Sequence, residues 1–301
     1  MTTSRARWID PRQLERLAGA RLRARGVVEG VLAGLHRSPH KGASVEFAEY
    51  KEYAPGDDLR HIDWRAYGRI DRYYVKQFED ETNLRAWFVL DTSGSMDFAF
   101  EDAPRKVTWA STFVAALSWV LLSQGDAPGL LVFDERPGYA LPPSSKKTQL
   151  DDICAVLDAT RAEGRTDIES ALARIAERVY ARSLVVLVSD LLEAGDEVLT
   201  LARVLRRRGL EVVVVNVLDR AERDLPYEGL TLFEGLEGEG ELLADPDDLR
   251  SAYRDLMDAH IARVRDVCRA GDIEMLEATT SDPVEGVILD LLRARARGRR
   301  R

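Results

Sequence analysis

Three oxygen-bearing side chains stand at alternate positions directly after an apolar run: Asp91, Ser93 and Ser95. The run, residues 86–90, is short and continuously apolar, which is typical of a strand buried on both faces of a parallel sheet. Such strands present functional groups at their carboxyl ends, in the crevice where the chain turns into a helix. Gly94 gives this loop the freedom to curl around a small ligand. Carboxylate and hydroxyl oxygens favour magnesium, manganese or calcium over zinc.

Two later stretches complete the predicted site. Thr166 lies in a turn that leads into a helix, and Asp190 ends the apolar run 184–189, so the second strand repeats the design of the first. Two carboxylates and three hydroxyls from three loops nearly fill an octahedral shell. The remaining position is open to water or to an oxygen from a partner. The predicted metal ligands are Asp91, Ser93, Ser95, Thr166 and Asp190.

This order of residues resembles the metal-ion-dependent adhesion site of von Willebrand factor A domains. That site has Asp-x-Ser-x-Ser, then a distant Thr and then a distant Asp, as here. The resemblance implies Mg²⁺ as the bound ion, with Mn²⁺ or Ca²⁺ as substitutes. One departure concerns the last Asp, which is often followed by Gly in the superfamily and here by Leu191. We expect the loop at this position to be shaped differently.

Several other interpretations of the same residues remain open. Asp-x-Ser-x-Ser alone is also typical of a helix-capping turn, in a domain whose site holds no metal. A phosphohydrolase resembling the haloacid dehalogenase type would carry the motif Asp-x-Asp. Here Ser93 stands in place of the second carboxylate of that motif. Asp167 and Glu193 are the nearby carboxylates left for acid/base work. Serine hydrolase chemistry is disfavoured because neither Ser93 nor Ser95 is framed as Gly-x-Ser-x-Gly.

Composition restricts the class of protein. The chain has 301 residues and a formal net charge of −9, which argues against a general nucleic-acid binder. Cys154 and Cys268 fall in helical patterns and are predicted to be buried thiols without a disulfide. We expect no apolar stretch to approach the roughly 18 residues that a membrane-spanning helix needs. The arginine-rich start lacks the apolar segment of a signal peptide, so a cytoplasmic location is expected.

The elements that position the site follow from the alternation of strands and helices between residues 85 and 220. This alternation predicts a doubly wound, mostly parallel α/β sheet with helices on both faces. Residues 231–241 are interpreted as a hairpin or an extended excursion, and 246–270 as a long helix. The predicted organisation is an N-terminal helical and β extension (1–84), a core domain with the metal site (85–220), a C-terminal continuation of that domain (221–292) and a basic, disordered tail (293–301).

The N-terminal extension carries a second resemblance. Its four pieces are Glu-Phe at 46–47, Tyr-Ala-Pro-Gly-Asp at 53–57, Arg-His-Ile-Asp-Trp at 60–64 and Phe-Glu at 78–79. Together with the metal-site residues they resemble the bacterial family of von Willebrand A-like proteins catalogued as domain of unknown function fifty-eight. We expect Asp63 and Trp64 to be structural, clasping the extension to the sheet, with a partner surface as the alternative.

The family resemblance also implies a function. Its members are typically encoded beside a MoxR-type AAA+ ATPase, which implies a chaperone-like or assembly role with such an enzyme. The expected function is therefore a metal-dependent protein-interaction module rather than an enzyme. Its partner would offer an Asp or Glu side chain to the metal, and neither nucleic acid nor a membrane span is expected. The alternative function is a metal-dependent phosphohydrolase.

Overall fold

The structure is a computed structural model that describes residues 10–17, 19–37, 50–52, 74–76, 84–135, 138–179, 182–193 and 203–298. The chain forms two compact units, one made of Met1–Arg37 with Leu84–Arg301 and the other of Ser38–Asn83. In the smaller unit, β1 (Tyr50–Glu52) pairs antiparallel with β2 (Tyr74–Lys76). The four signature pieces of the N-terminal extension, with Asp63 and Trp64, lie outside the described residues.

The larger unit contains the predicted alternation of strands and helices. Its first half has a 3-10 helix (Pro11–Arg16), α1 (Ala20–Arg37), β3 (Arg85–Asp91), a 3-10 turn (Gly94–Asp97), α2 (Lys106–Ser123), β4 (Ala127–Phe133), β5 (Ala140–Leu141), α3 (Gln149–Ala159) and α4 (Ile168–Arg178). Its second half has β6 (Leu184–Ser189), a helical stretch at 203–207, β7 (Glu211–Leu218), α5 (Arg220–Asp224), β8 (Thr231–Glu234), β9 (Glu241–Ala244), α6 (Pro246–Ala270), β10 (Glu274–Thr279) and α7 (Val284–Gly298).

Six of the strands form one sheet in the order β10-β7-β6-β3-β4-β5. All neighbours are parallel except β5, which pairs antiparallel with β4 at the edge, next to Pro142 and Pro143. The strand order reverses at β3, whose neighbours are β4 on one side and β6 on the other. This is the doubly wound order, and it confirms the predicted fold class.

Alternate residues of each central strand enter two separate hydrophobic cores. Phe88 and Leu90 of β3 pack with α1, α2, α3 and α7, whereas Trp87 and Val89 pack with α4 and α6 on the other face. Helices therefore cover both faces, as the continuously apolar strands predicted. The two cysteines are buried free thiols, one in each core, which confirms their predicted role.

Two expectations from the sequence need correction. Helix α2 has 18 residues and is apolar enough to cross a membrane, so the expectation that no stretch approaches this length was wrong. It is apolar because 72% of it is buried inside the domain, between the sheet and α1.

The second correction concerns the basic tail. Residues 293–298 continue helix α7 instead of leaving the fold. The Arg295 guanidinium donates to both carboxylate oxygens of Glu211, at 2.6 and 3.1 Å, and thereby ties the end of the helix to the start of β7.

Candidate metal centre

The predicted site residues lie at the carboxyl ends of β3 and β6, where the strand order reverses. Asp91 is the last residue of β3, and Asp190 directly follows β6. The side chains of both are buried, and Asp91 has no exposed surface. Doubly wound sheets bind their ligands in the crevice at this switch point.

Asp91 is the centre of a cluster of side-chain oxygens. Its Oδ1 accepts a hydrogen bond from the Ser93 amide at 3.0 Å, and its Oδ2 accepts from the Thr166 hydroxyl at 3.2 Å. The Ser93 and Ser95 hydroxyl oxygens lie 3.2 Å apart. The structure thus brings four of the five predicted ligands together. Ser189 was not predicted, although its hydroxyl donates to Asp91 Oδ2 at 2.6 Å.

Backbone hydrogen bonds hold the two loops of the cluster against each other. The Gly94 amide donates to the Gly164 carbonyl at 2.8 Å, and the Glu163 amide donates to the Thr92 carbonyl at 3.0 Å. Thr166 is therefore fixed beside Asp91 although the two residues are 75 positions apart.

Asp190 is held by a buried lysine. Its Oδ2 accepts from Lys106 Nζ at 2.7 Å, and its Oδ1 accepts from the Leu192 amide at 3.2 Å. The same ammonium group also contacts the Glu222 carboxylate. The sequence prediction did not include Lys106, but a lysine in the first turn of an apolar helix opposes the helix dipole and is a signal for a buried partner.

The pKa values of Asp91 and Lys106 are both raised, but for different reasons. Burial, followed by repulsion from Asp190, raises the pKa of Asp91 to about 6, although hydrogen bonds from Ser189 and Ser93 oppose the rise. Burial alone would lower the pKa of Lys106, but attraction from Asp190 and then Glu222 outweighs it and raises that pKa. Within the part of the chain that the structure describes, Asp91 is thus a buried acid with no lysine or arginine paired to it, whereas Asp190 is paired with Lys106.

The side chains at these strand ends fit a divalent ion that prefers hard oxygen ligands. Asp91, Ser93, Ser95 and Thr166 would supply one carboxylate and three hydroxyls from two loops, and Asp190 would add negative charge from the neighbouring strand end. Magnesium, manganese and calcium all take such oxygens. A positive ion there would also offset the buried charge of Asp91.

A further carboxylate reaches the cluster from outside the predicted set. Glu237 lies at the tip of the β8–β9 hairpin, and its two carboxylate oxygens accept from the amides of Ser95 and Thr166 at 3.3 and 3.2 Å. Carboxylate oxygens of Glu193, Glu237 and Glu239 lie within 4.8 Å of one another. Burial, with repulsion from Glu237 and Glu239, raises the pKa of Glu193.

The loop after Asp190 has a backbone conformation that favours glycine although Leu191 stands there, and the expected difference in loop shape stays a prediction. Leu191 adopts φ of +56°, a left-handed conformation that a glycine takes without strain. Its side chain is buried in the core below α4. The packing of this side chain therefore offsets the strain of its backbone.

Replacing Leu191 separates these two effects. Leu191→Ala loses the buried side chain and keeps the strain, so we expect it to lower the free energy of unfolding by about 2–5 kcal/mol. Leu191→Gly loses the same side chain but relieves strain of about 1–2 kcal/mol. We therefore expect Leu191→Gly to be the more stable of the two variants in urea unfolding. Equal stability would show that the left-handed backbone at this position is not strained.

Comparison with known proteins gives one family and several relatives. The family model described as "Protein of unknown function DUF58" matches residues 49–263. The "Uncharacterized protein Rv1480" of Mycobacterium tuberculosis (strain ATCC 25618 / H37Rv) is 26% identical over 295 residues, covering 96% of this chain and 92% of that protein. "Uncharacterized protein Mb1516" of Mycobacterium bovis matches with the same identity and coverage.

Solved structures give weaker likenesses. The "conserved hypothetical protein BatB" from Bacteroides thetaiotaomicron has a TM-score of 0.49 and 17% identity, covering 71% of this chain and 99% of that one. The "SpRpn10 VWA domain" has a TM-score of 0.43 and 10% identity, covering 69% and 94%. The fold assignment rests on the strand order of the sheet itself.

Proposed function

This chain belongs to the DUF58 family, and we propose that it is a protein-interaction module whose binding depends on a divalent metal ion. The observation that carries the proposal is the oxygen cluster around buried Asp91, at the point where the strand order reverses. Magnesium is the proposed ion, with manganese or calcium as substitutes, and Asp91, Ser93, Ser95, Thr166 and Asp190 are the proposed ligand set.

The chemistry of these ligands suits the capture of an acidic partner. A bound divalent ion would supply an open coordination position for an anionic oxygen. The hydroxyls of Ser93, Ser95 and Thr166 are neutral, so they offset less of the ion's charge than carboxylates would. Lys106, which also contacts Glu222, offsets part of the negative charge of Asp190. The site would therefore attract an Asp or Glu side chain from a partner protein.

The partner that we propose is a MoxR-type AAA+ ATPase. The support is the family resemblance, since members of the family are typically encoded beside such an ATPase. In this proposal the chain acts as an adaptor or a chaperone-like cofactor of the ATPase.

Two of the residues that a phosphohydrolase would use, Asp167 and Asp91, are poorly placed for that chemistry. An enzyme of that class needs an acid/base group directed at the substrate. Asp167, one of the two carboxylates considered for this role, is the N-cap of α4, and its Oδ1 accepts from the Ser170 amide at 2.9 Å. Asp91 is itself surrounded by three hydrogen-bond donors, which leaves it poorly placed as a nucleophile.

The proposal is tested by binding to the purified MoxR-type ATPase of the same organism, in magnesium and in chelator. We expect binding in magnesium, its loss in chelator, and its loss in Asp91→Ala and Thr166→Ala. Asp152→Asn is the matched control, since Asp152 is an exposed carboxylate on α3, and it should bind as the wild type does.

Two results would contradict the proposal. The first is binding to the ATPase that is equal in magnesium and in chelator. The second is metal-dependent hydrolysis of generic phosphate esters that disappears in both Asp91→Ala and Asp167→Ala, which would establish the phosphohydrolase instead.

A further inference from the structure

The hairpin formed by β8 and β9 reaches the proposed metal site with one buried residue. Among residues 231–244 only Glu237 is buried, with 8% of its surface exposed. It lies at the turn, between the loop that carries Ser95 and the loop that carries Thr166. The rest of this segment, which we call the acidic hairpin (residues 231–244), is partly or fully exposed.

The contacts of Glu237 are those of an acidic ligand seated on the site. Oε1 accepts from the Ser95 amide at 3.3 Å, and Oε2 accepts from the Thr166 amide at 3.2 Å. The Arg165 guanidinium, at 3.2 Å, donates to the main-chain oxygen of Glu237 instead of to its carboxylate. Among the described residues, no lysine or arginine forms an ion pair with this buried carboxylate. Each carboxylate oxygen retains a lone pair for a cation.

The tip of the acidic hairpin sits directly on the first metal-site loop. A Cβ atom added at Gly94 would lie 2.3 Å from the main-chain oxygen of Leu236. Glycine at position 94 thus permits the close approach that places the next residue, Glu237, beside the hydroxyl cluster. The fit between the loop and the hairpin tip depends on main-chain atoms of both.

Little apolar burial holds the tip in place. Leu232, Leu236, Leu242 and Leu243 are each about half exposed or more, at 57%, 49%, 60% and 60%. At the base of the hairpin, Tyr227 makes an edge-to-face contact with Phe233, with ring centroids 5.4 Å apart. The base is therefore packed, whereas the tip is held chiefly by polar contacts, and polar contacts can exchange for those of a competitor.

We propose that Glu237 is an internal ligand of the metal site. It takes the coordination position that the proposed function reserves for a partner carboxylate, and the hairpin tip must leave before the partner can bind. The inference rests on the proposed metal dependence of the site. Glu237 would then be a sixth residue of the ligand set. With the hairpin tip in place, the chain would block its own binding site.

The test uses Mn²⁺ and the full chain. Metal affinity is measured by calorimetry, and water bound to the metal by proton relaxation. In Glu237→Gln we expect Mn²⁺ to bind about ten-fold more weakly or worse, and we expect greater relaxation per bound ion, because water replaces the carboxylate. Added acetate should reduce that relaxation in Glu237→Gln at lower concentrations than in the wild type. Glu241→Gln, an exposed glutamate of the same hairpin, is the control and should match the wild type.

The outcomes separate the two proposals. If Glu237→Gln matches the wild type in affinity and relaxation while Asp91→Ala loses Mn²⁺, the internal ligand is overturned and the metal site stands. If the wild type binds no Mn²⁺, both proposals fall. Glu237→Asp is a second variant, in which a shortened carboxylate should give intermediate affinity. Affinity and relaxation equal to those of the wild type in Glu237→Asp, combined with an unfolded Glu237→Gln, would also overturn the internal ligand.

Discussion

Replacing Lys106 with methionine is expected to lower the free energy of unfolding of the metal-free protein by about 3–5 kcal/mol. The ammonium group is fully buried and contacts both Asp190 and Glu222. Without it, two carboxylates remain in the interior with no cation between them. Methionine fills a similar volume, so the loss would arise from the uncompensated charge and not from a cavity.

Urea unfolding of four variants measures this effect. Lys147→Met, at an exposed lysine, is the matched control and should change stability by less than about 0.5 kcal/mol. Glu222→Gln and the double variant Lys106→Met/Glu222→Gln complete a cycle that isolates the coupling between the two groups. The double variant should be less destabilised than the sum of the single ones. Lys106→Met as stable as Lys147→Met would refute the buried ion pair.

The centre of the site could be predicted because its residues follow from local patterns. An apolar run identifies a buried parallel strand, and parallel strands of one sheet converge at their carboxyl ends. Asp91 and Asp190 were located in this way, and the resemblance to the adhesion site added Thr166. The match of the family model to residues 49–263 confirms the resemblance to the DUF58 family.

The residues that could not be predicted from the sequence all contact partners that are far away in the sequence. Glu237 is 142 positions from Ser95, and Lys106 is 84 positions from Asp190. No periodicity connects such pairs, because their meeting depends on how the loops and helices pack. Arg295 was assigned to a disordered tail for the same reason, since its partner Glu211 lies on a distant strand.

Asp91→Asn is expected to make the metal-free protein more stable at pH 7, by about 2–3 kcal/mol, because the pKa of Asp91 is raised from 3.8 to about 6. At pH 7 the wild-type carboxylate is ionised inside the fold, where burial and Asp190 disfavour its charge. Asparagine is neutral and of the same shape. A residue at the centre of a binding site would thus reduce stability when no ligand is bound.

The pH dependence of folding stability shows whether Asp91 stabilises or destabilises the folded state. The folded state keeps the Asp91 proton up to a higher pH than the unfolded state does, so this residue lowers stability as the pH rises from about 4 through 6. Below about pH 4 both states are protonated, and the two proteins should be equally stable.

Magnesium should reverse the order at pH 7, because it stabilises only the folded form that binds it, and Asp91→Asn would bind it weakly. Thermal unfolding of both proteins at pH 4 and 7, with chelator or magnesium, measures all three comparisons. A metal-free wild type more stable than Asp91→Asn at pH 7 would mean that the hydrogen bonds from Ser189, Thr166 and Ser93 outweigh the cost of burying the charge.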